Sequence, residues 1–375
     1  MAVPNNYYVD PASGSDSTGT GTIANPWASV QHAANNITKD TTNSDQINVK
    51  AGSADVLSAT LNVTSYSPTD QNPLIIRGYT SSANDGGQGE IDGNGGQINS
   101  NGFVAWIDMK LGNQGSGNLS GLSAQNCELS GSTNTSYGAS VINWHNCYFH
   151  DISAIAVSGI NFHGCYIEEG DTIPFSSSNG ALHFSNSNSR VINNILILKS
   201  TNINGFSTNR ERNFFVNNTV FSVNASTASG FFFHDTNFCR YATVANNIVE
   251  GFSGTGGKGI YFDNNSYKYW PYVAANSVYN CDTAFYREGS TLQVATETGE
   301  RWFGLYDAGE EELTETPFEK SGSMTFANRA NYFKLKSGVG NTINSAWLNN
   351  YRGAIAPQIT SAGGGAGTYH PLYLN

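Results

Sequence analysis

Between Ala124 and Val278 one six-residue phrase is written seven times, with an apolar residue at each end and asparagine or cysteine near its middle. The copies are AQNCEL (124–129), WHNCYF (144–149), FHGCYI (162–167), VINNIL (191–196), FVNNTV (215–220), VANNIV (244–249) and VAANSV (273–278). Between the fourth residues of successive copies, the steps are 20, 18, 29, 24, 29 and 29 residues. Periods of this size indicate a solenoid, and so short a β-branched, aromatic and Asn-rich phrase favours a β-helix over any helical repeat.

The ends of the phrase predict which side chains fill the interior. If each copy is one rung, equivalent residues stack about 4.8 Å apart along the solenoid axis. The first residue of each copy would form one interior column: Ala124, Trp144, Phe162, Val191, Phe215, Val244 and Val273. The last residue would form a second: Leu129, Phe149, Ile167, Leu196, Val220, Val249 and Val278.

The middle of the phrase predicts a turn at one edge of the solenoid. The third-position asparagines are expected to form a turn ladder, because Asn tolerates the left-handed conformation and its amides can bond from rung to rung. They are Asn126, Asn146, Asn193, Asn217 and Asn246. The fourth position should form one further column, with Cys127, Cys147 and Cys165 where later rungs have asparagine. Stacked side chains point the same way, which is poor disulfide geometry, and no CxxC pair suggests zinc.

Composition limits the classes of partner. The chain has 375 residues, 13% of them charged, with 41 glycines and a formal net charge of −11. This charge argues against nucleic acid and anionic membranes as partners. No apolar run reaches 18 residues, so no membrane span is predicted. The opening MAVPNNYYVD has neither a basic nor an apolar leader region, so we expect either no signal peptide or one already removed.

The N-terminal stretch carries a family resemblance. Residues 26–37 (PWASVQHAANNI) have apolar spacing near 3.6 and predict a short helix that caps the open first rung. The run YYVDPASGSDSTGTGTIANPWASVQHAANNI (7–37) resembles the entry motif of the pectate-lyase-like superfamily of right-handed parallel β-helix proteins. IIRGY (75–79) and EIDG (90–93) resemble its first rungs. The resemblance implies this all-β fold and a place among polysaccharide lyases, epimerases, glycosidases, phage tailspikes and virion fibres.

Three regions are predicted along the chain. Residues 1–40 would hold the N-terminal strand and capping helix, 41–290 the parallel β-helix, and 291–375 an irregular C-terminal cap or assembly region. Residues 307–319 carry six acidic and no basic residues, as expected of a solvated excursion, a cation site or a subunit contact. The Gly-rich tail 361–375 would be either disordered or docked on a neighbour.

The rung alignment brings ionisable residues together. His150 should lie beside Glu168, and Asp151 beside Glu169, one rung apart. Such a group would shift its members' pKa values, as acid–base catalysis or a cation such as calcium requires, although a solvated polar edge is the plainer interpretation. We take these four residues as the candidate catalytic set, with no resident metal or other cofactor.

Aromatic and histidine columns suggest where a glycan could bind. Tyr148 and Tyr166 share an outward column, and His145 should stack on His163, which gives four candidate substrate-binding residues. Phe231, Phe232, Phe233, Tyr261 and Phe262 add further aromatic rings. Sugar rings stack on exposed aromatic side chains, so a glycan groove along the solenoid is one reading of these residues, and internal stacking is the other.

Family catalytic patterns are mostly missing. The sequence has no Asp-Asp pair of the polygalacturonase kind and no RxPxxR of the classical pectate lyases. Lys199, Arg210 and Arg212 could supply a base and a neutralising group for β-elimination, but nothing in the sequence positions them.

Three functions therefore remain open at this point. The first is a phage structural protein of tailspike or head-fibre type, on the virion surface, which presents its β-helix to glycans. The second is a secreted polysaccharide lyase or glycoside hydrolase, and the third a non-enzymatic carbohydrate-binding adhesin, both extracellular. The expected partners are a glycan and either other virion proteins or further copies of the chain, with a trimer favoured because fibres of this fold commonly associate so.

Overall fold

The computed structural model describes residues 5–40, 43–63, 69, 72–99, 103–113, 120–131, 140–152, 155–157, 161–171, 180–234, 239, 241–263, 272–287, 290–292, 311–325 and 327–336. Within them the strands stack into three long sheets that form the faces of a solenoid. Almost every described strand pairs in parallel, and the exception is the antiparallel pair of β29 (Thr283–Arg287) with β30 (Ser290–Leu292). The predicted right-handed parallel β-helix is confirmed.

The first sheet runs the length of the solenoid. In spatial order it contains β1 (Asn5–Val9), β2 (Asp45–Lys50), β5 (Leu74–Tyr79), β8 (Val104–Ile107), β10 (Ser120–Gln125), β12 (Ser140–His145), β15 (Asn161–His163), β18 (Arg190–Ile192), β21 (Phe214–Val216), β24 (Thr243–Ala245) and β27 (Tyr272–Ala274).

The second sheet follows the first around a sharp corner. It contains β3 (Ala54–Val56), β6 (Gly89–Asp92), β9 (Met109–Gly112), β11 (Glu128–Leu129), β13 (Tyr148–His150), β16 (Tyr166–Glu168), β19 (Ile195–Leu198), β22 (Thr219–Ser222), β25 (Ile248–Glu250), β28 (Ser277–Tyr279) and β31 (Glu311–Leu313).

The third sheet is shorter and closes the cross-section. It contains β14 (Ile155–Val157), β17 (Leu182–Phe184), β20 (Phe206–Thr208), β23 (Ser229–Phe233), β26 (Lys258–Phe262), β29 (Thr283–Arg287) and β30 (Ser290–Leu292). A small separate pair joins β4 (Leu61–Asn62) to β7 (Ile98–Asn99).

The two predicted apolar columns fill the interior. All members of both columns are buried, and Val273, at 5% exposure, is the most accessible. The third sheet adds inward aromatic rings, among them Phe184, Phe206, Phe231 and Phe233. The interior of the solenoid is therefore one continuous apolar cluster from Val9 to Phe285.

A single left-handed residue makes the corner between the first and second sheets in each repeat. The corner residues have φ between 51° and 68°, and they are Asn126, Asn146, Gly164, Asn193, Asn217, Asn246 and Ala275. Asn and Gly adopt this conformation at little cost, which explains the third position of the phrase.

The rung-to-rung amide ladder of the later repeats lies one residue beyond the corner, in the fourth position. Asn194, Asn218, Asn247 and Asn276 are buried, and each Nδ2 of the first three donates to the next Oδ1 at 2.9–3.0 Å. Each of those accepting Oδ1 atoms also accepts the backbone N–H of the preceding asparagine. The expectation that third-position amides form the ladder holds for Asn146, which donates to Asn126 at 2.8 Å. In later rungs the ladder belongs to the neighbouring asparagine.

The three cysteines of the fourth position continue this column. Cys127, Cys147 and Cys165 are buried and, like every cysteine in the described part of the chain, form no disulfide. The thiol of Cys147 donates to the carbonyl of Ala124 at 3.5 Å, the position that Asn218 Nδ2 fills toward Val191 three rungs later. The prediction of small buried residues without disulfides is confirmed.

A short helix lies near the N-terminal end. Helix α1 (Val30–Asn36) is shorter than predicted, and Ser29 caps it by accepting the amide of His32 at 3.2 Å. It contacts β1, β2 and β4 and buries Val30, Ala33 and Ala34 in the core. That it protects the first rung from edge pairing stays a prediction. Among the described residues no helix is long and apolar enough to cross a membrane.

After β31 the chain returns over the outer face of the second sheet. This segment, called the strap here, comprises residues 314–325 and 327–336 and includes helix α2 (Arg329–Tyr332). Its Phe318, Phe333 and Leu335 are buried on that face. Lys320 Nζ lies 2.5 Å from Glu250 Oε1, and Thr316 donates to the same carboxylate at 2.8 Å. The strap thus covers an apolar outer shelf made by Tyr166, Ile195, Ile197, Phe221 and Ile248.

Candidate functional site

Where the shelf ends, ionisable side chains cluster on the outer face of the second sheet. His150 is half-buried on β13, with Nδ1 2.9 Å from Asp151 Oδ2 and Nε2 3.4 Å from Glu128 Oε1. Burial alone would lower the pKa of His150, but the two carboxylates outweigh it and raise the pKa above its usual value. The hydrogen bond from His150 holds the pKa of Glu128 below its usual value. His150 is therefore held toward its protonated form between two carboxylates.

Glu168 forms the other half of this group. It pairs with His150 in register on the adjacent strand, as predicted. Its carboxylate accepts the hydroxyl of Tyr148 at 3.4 Å and lies 3.3 Å from Lys199 Nζ, which also binds Asp171 at 2.8 Å. The ring of Tyr148 stacks on that of His150 at 4.4 Å. Glu128, Tyr148, His150, Asp151 and Glu168 are called the His150 cluster below.

Glu169 was expected to join the His150 cluster, but its side chain points away from it. Its side chain is buried, and Oε2 accepts the backbone amides of Lys199 and Ser200 at 2.6 and 2.7 Å. Ser200 also donates its hydroxyl to this carboxylate. Side chains alternate along a strand, so the residue after outward Glu168 turns inward. Asp151 does not alternate in this way, because its left-handed φ of 50° ends the strand. Its carboxylate can therefore contact His150.

Tyr166 shares the outward column of Tyr148, as predicted, but is not open to a sugar. Tyr166 is only 1% exposed, because it belongs to the outer shelf that the strap covers. The two tyrosine rings lie 5.6 Å apart at 59°, so they do not form a flat platform. Tyr148 is the tyrosine of this pair that remains partly accessible.

His145 and His163 meet on a different face. They pair in register between β12 and β15 on the first sheet, with ring centroids 5.4 Å apart. Partial loss of water around each ring lowers the pKa of both, although His145 as a whole residue is exposed, and the neighbouring His145 lowers the pKa of His163 further. The two imidazoles are thus neutral near pH 7, and they lie across the corner from the His150 cluster rather than within it.

Raising the pH should remove a stabilising contribution from His150. A raised folded-state pKa means that the folded chain holds the proton more tightly than the unfolded chain does. The contribution is complete below the unfolded pKa of about 6.5 and is lost as pH rises through the folded value. We expect the stability difference between the parent and His150→Gln to shrink as the pH rises above about 6.5, as measured by urea unfolding. A difference that does not vary with pH would contradict the ion-pair geometry.

The third sheet presents a second candidate surface. On its outer side His183, Ser207, Phe232 and Tyr261 stand in one column, in register over four strands. The rings of Phe232 and Tyr261 stack at 5.1 Å and 21°. His183 Nδ1 lies 3.0 Å from the hydroxyl of Ser207. Burial lowers the pKa of His183 to about 4, with His234 and Arg210 adding to the effect, so this imidazole is neutral at ordinary pH.

A polar column runs beside the aromatic one. Asn209, His234 and Asp263 follow the last paired residues of β20, β23 and β26, and backbone bonds at 3.0 and 2.9 Å extend the ladder to His234 and Asp263. The ring of His234 lies 4.2 Å from Phe232 and 5.5 Å from His183. Asp263 accepts the hydroxyl of Tyr261 at 2.9 Å. His183, Phe232, His234, Tyr261 and Asp263 are called the third-sheet face below.

The sequence indicated only part of this surface. In the Phe231–Phe233 triplet, the rings of Phe231 and Phe233 are buried in the core, and Phe232 points outward. Internal stacking therefore describes the first and third residues, and an outward aromatic surface describes the second. His183, His234 and Asp263 were not found, because they lie outside the repeated phrase. Outward alternation around the buried residues of β23 and β26 is the signal that could have located them.

Among the described residues, no group of three or more His, Cys, Asp or Glu side chains is arranged to hold a metal ion. Calcium binding at the His150 cluster stays a prediction.

Comparisons with known proteins yield only distant structural likeness. No protein-family model matches the sequence, and no curated protein is similar to it. Among solved structures, the GH136 lacto-N-biosidase from Eubacterium ramulus is similar in its native form, with a TM-score of 0.38 and 13% identity over 82% of this chain and 68% of that one. Its selenomethionine derivative gives a TM-score of 0.33 and 15% identity over 75% and 53%. Neither comparison tests the tailspike or pectate-lyase resemblance.

Proposed function

We propose that this protein binds a linear glycan along the outer face of its third sheet. The observation that carries the proposal is the pairing of two columns on the third-sheet face, one aromatic and one polar. Aromatic rings offer apolar contact to sugar C–H groups, while imidazole, amide and carboxylate groups bond to hydroxyls. Because the columns run along the solenoid axis over successive rungs, they suit an extended chain better than a single sugar.

Electrostatics support a binding role for this face. The imidazole of His183 stays neutral down to about pH 4 and so can donate to or accept from a hydroxyl without a change of charge. Phe232, His234 and Tyr261 are half-buried, which leaves part of each ring for contact. A preformed, rigid strand surface lowers the entropy that binding must overcome.

Replacing Phe232 by alanine should weaken glycan binding about tenfold, the usual cost of losing a central aromatic contact. The measurement is affinity electrophoresis or calorimetry against a panel of soluble β-glucan, xylan, mannan, galactan and polyuronate. Phe214→Ala is the matched control, because Phe214 is also half-buried and outward but lies on the first sheet.

Two outcomes would overturn this proposal. One is that no glycan of the panel binds the parent protein. The other is that Phe232→Ala and Phe214→Ala bind as the parent does while both remain folded by circular dichroism.

A second function, glycoside hydrolysis, is favoured by His150, whose pKa is raised by the neighbouring carboxylates, beside Glu168. In the proposed reaction His150 gives its proton to the leaving glycosidic oxygen as the C1–O bond breaks, and Glu168 takes a proton from the attacking water. The surrounding carboxylates Glu128 and Asp151 would stabilise the positive charge that develops on the sugar ring. The same negative charge disfavours a polyuronate, so this cluster supports a hydrolase for neutral glycans better than a lyase.

Hydrolysis is tested separately from binding. New reducing ends should appear from a glycan that binds, and Glu168→Gln or His150→Gln should lower their rate about 10²–10⁴-fold with binding retained. Phe232→Ala should instead act mainly on KM. If a bound glycan yields no reducing ends, the hydrolase proposal fails and glycan binding stands.

A further inference from the structure

The outer face of the first sheet carries a pair of imidazoles that neither proposed surface uses. We infer that His145 and His163, held by Asn193, bind a divalent transition-metal ion such as Cu²⁺, Ni²⁺ or Zn²⁺. Parallel pairing of β12 with β15 places the two rings one above the other, with centroids 5.4 Å apart. Imidazole nitrogen is a ligand that all three metals favour.

Both imidazoles are available in the form that a metal needs. His145 is exposed and His163 half-buried on the outside of the solenoid, so an ion can reach them from solvent. Metal ligation requires a neutral imidazole, which is the prevailing form of an ordinary histidine at pH 7. A divalent ion would also meet a chain of formal net charge −11.

Asn193 supports the metal site independently of the two imidazoles. It sits at the left-handed corner of the next rung, and its Nδ2 lies 3.3 Å from His163 Nε2. Its Oδ1 is buried and accepts no hydrogen bond from any residue that the structure describes. A 180° rotation of the Asn193 side-chain amide exchanges Oδ1 and Nδ2, and this rotation would direct Oδ1 at the imidazole. Oδ1 would then accept Nε2–H of His163 and leave Nδ1 for the metal, as carbonyl oxygens do behind metal-bound histidines.

The surroundings set the expected strength of this site. Arg190 pairs in register with Asn161 on the same face, so its positive charge weakens the binding of a cation. Farther along the corner ladder, Asp108 accepts a hydrogen bond from Asn126 at 3.0 Å and adds a negative charge. With two nitrogen ligands and solvent completing the shell, affinity should follow the order Cu²⁺ above Ni²⁺ and Zn²⁺, and those above Mn²⁺.

The test is calorimetric titration of the full chain with Cu²⁺ and Zn²⁺ at pH 7, together with the metal-dependent rise in Tm. We expect one saturable ion per chain, bound more weakly by more than tenfold in His145→Ala or His163→Ala. Asn193→Ala should weaken binding about tenfold, the usual effect of losing a group behind a ligand. His183→Ala is the control, because it removes a half-buried imidazole from another face and should leave the titration unchanged.

Each other outcome counts against the inference. Absence of saturable binding by the parent overturns it, as does unchanged affinity in both His145→Ala and His163→Ala. Loss of binding in His183→Ala with retention in those two variants would assign the ion to the third-sheet face instead. All of these side chains lie on outer faces, and the apo Tm of each variant shows that it is folded.

Discussion

Replacing Phe215 by alanine is expected to lower the free energy of unfolding by about 3–5 kcal/mol. Phe215 is 1% exposed and meets Phe184, Phe206, Phe231 and Phe233 at centroid distances of 5.6–6.2 Å. Its removal leaves a cavity shared by strands of two sheets, which a stack of rungs in fixed register cannot close.

The adjacent residue provides the control for this substitution. Phe214 differs in facing outward and being half-buried, so Phe214→Ala should cost less than half as much. Guanidinium unfolding of both variants gives the comparison through the midpoint at equal slope. Equal losses would show that the strand faces the other way, against the interior columns described above.

Replacing Lys320 by methionine is expected to detach the strap, at a cost of about 3 kcal/mol. The side chain of Glu250 is 4% exposed, so removal of its cationic partner leaves a buried charge that, among the described residues, retains the Thr316 hydroxyl as its hydrogen-bond donor. The strap makes its contacts with the outer shelf rather than with the core, so its release need not unfold the solenoid. Faster proteolysis within the strap and increased binding of an apolar dye to the shelf would report the release.

Two further variants isolate the buried charge as the cause. Lys334→Met removes a cation whose pair with Glu319, at 3.0 Å, is about one-third exposed on both sides, so it should cost about 1 kcal/mol or less. Glu250→Leu combined with Lys320→Met removes both charges and should return much of the lost stability. A strap that opens equally in Lys320→Met and Lys334→Met would contradict the assigned role of Glu250.

The repeated phrase was enough to predict the rungs of the first two sheets between Ala124 and Val278. Interior columns, corner residues and the pairing of His150 with Glu168 all follow from a fixed register, because the phrase and its short corner vary so little. The phrase did not show which of two neighbouring asparagines makes the corner and which bonds to the next rung. Asn217 and Asn218 are alike in sequence, and only the backbone conformation shows that the first turns the chain and the second bonds to the next rung.

The third sheet and the strap were beyond the reach of the same reasoning. Strands such as β17 and β20 lie in the variable stretches between copies and share no phrase, so their outward residues could not be aligned in advance. The burial of Tyr166 depends on residues more than 150 positions later in the chain, such as Phe333. Contacts at that separation leave no local pattern.

Several functional predictions concern segments outside the described residues. The proposed assembly tail 361–375 lies there, as do residues 307–310 of the acidic run, whereas residues 311–319 of that run form β31 and the start of the strap. The virion role, the trimer and the extracellular or virion location therefore stay predictions. Residues after 290 do contribute β31 as the last described strand of the second sheet, and the strap that follows it.

A crystal structure of the protein with an oligosaccharide of the glycan it binds tests the central functional claim most directly. The account predicts sugar rings along the third sheet, in contact with Phe232 and Tyr261 and hydrogen-bonded to His234 or Asp263. A sugar bound at the His150 cluster, with the third-sheet face unoccupied, would contradict the claim.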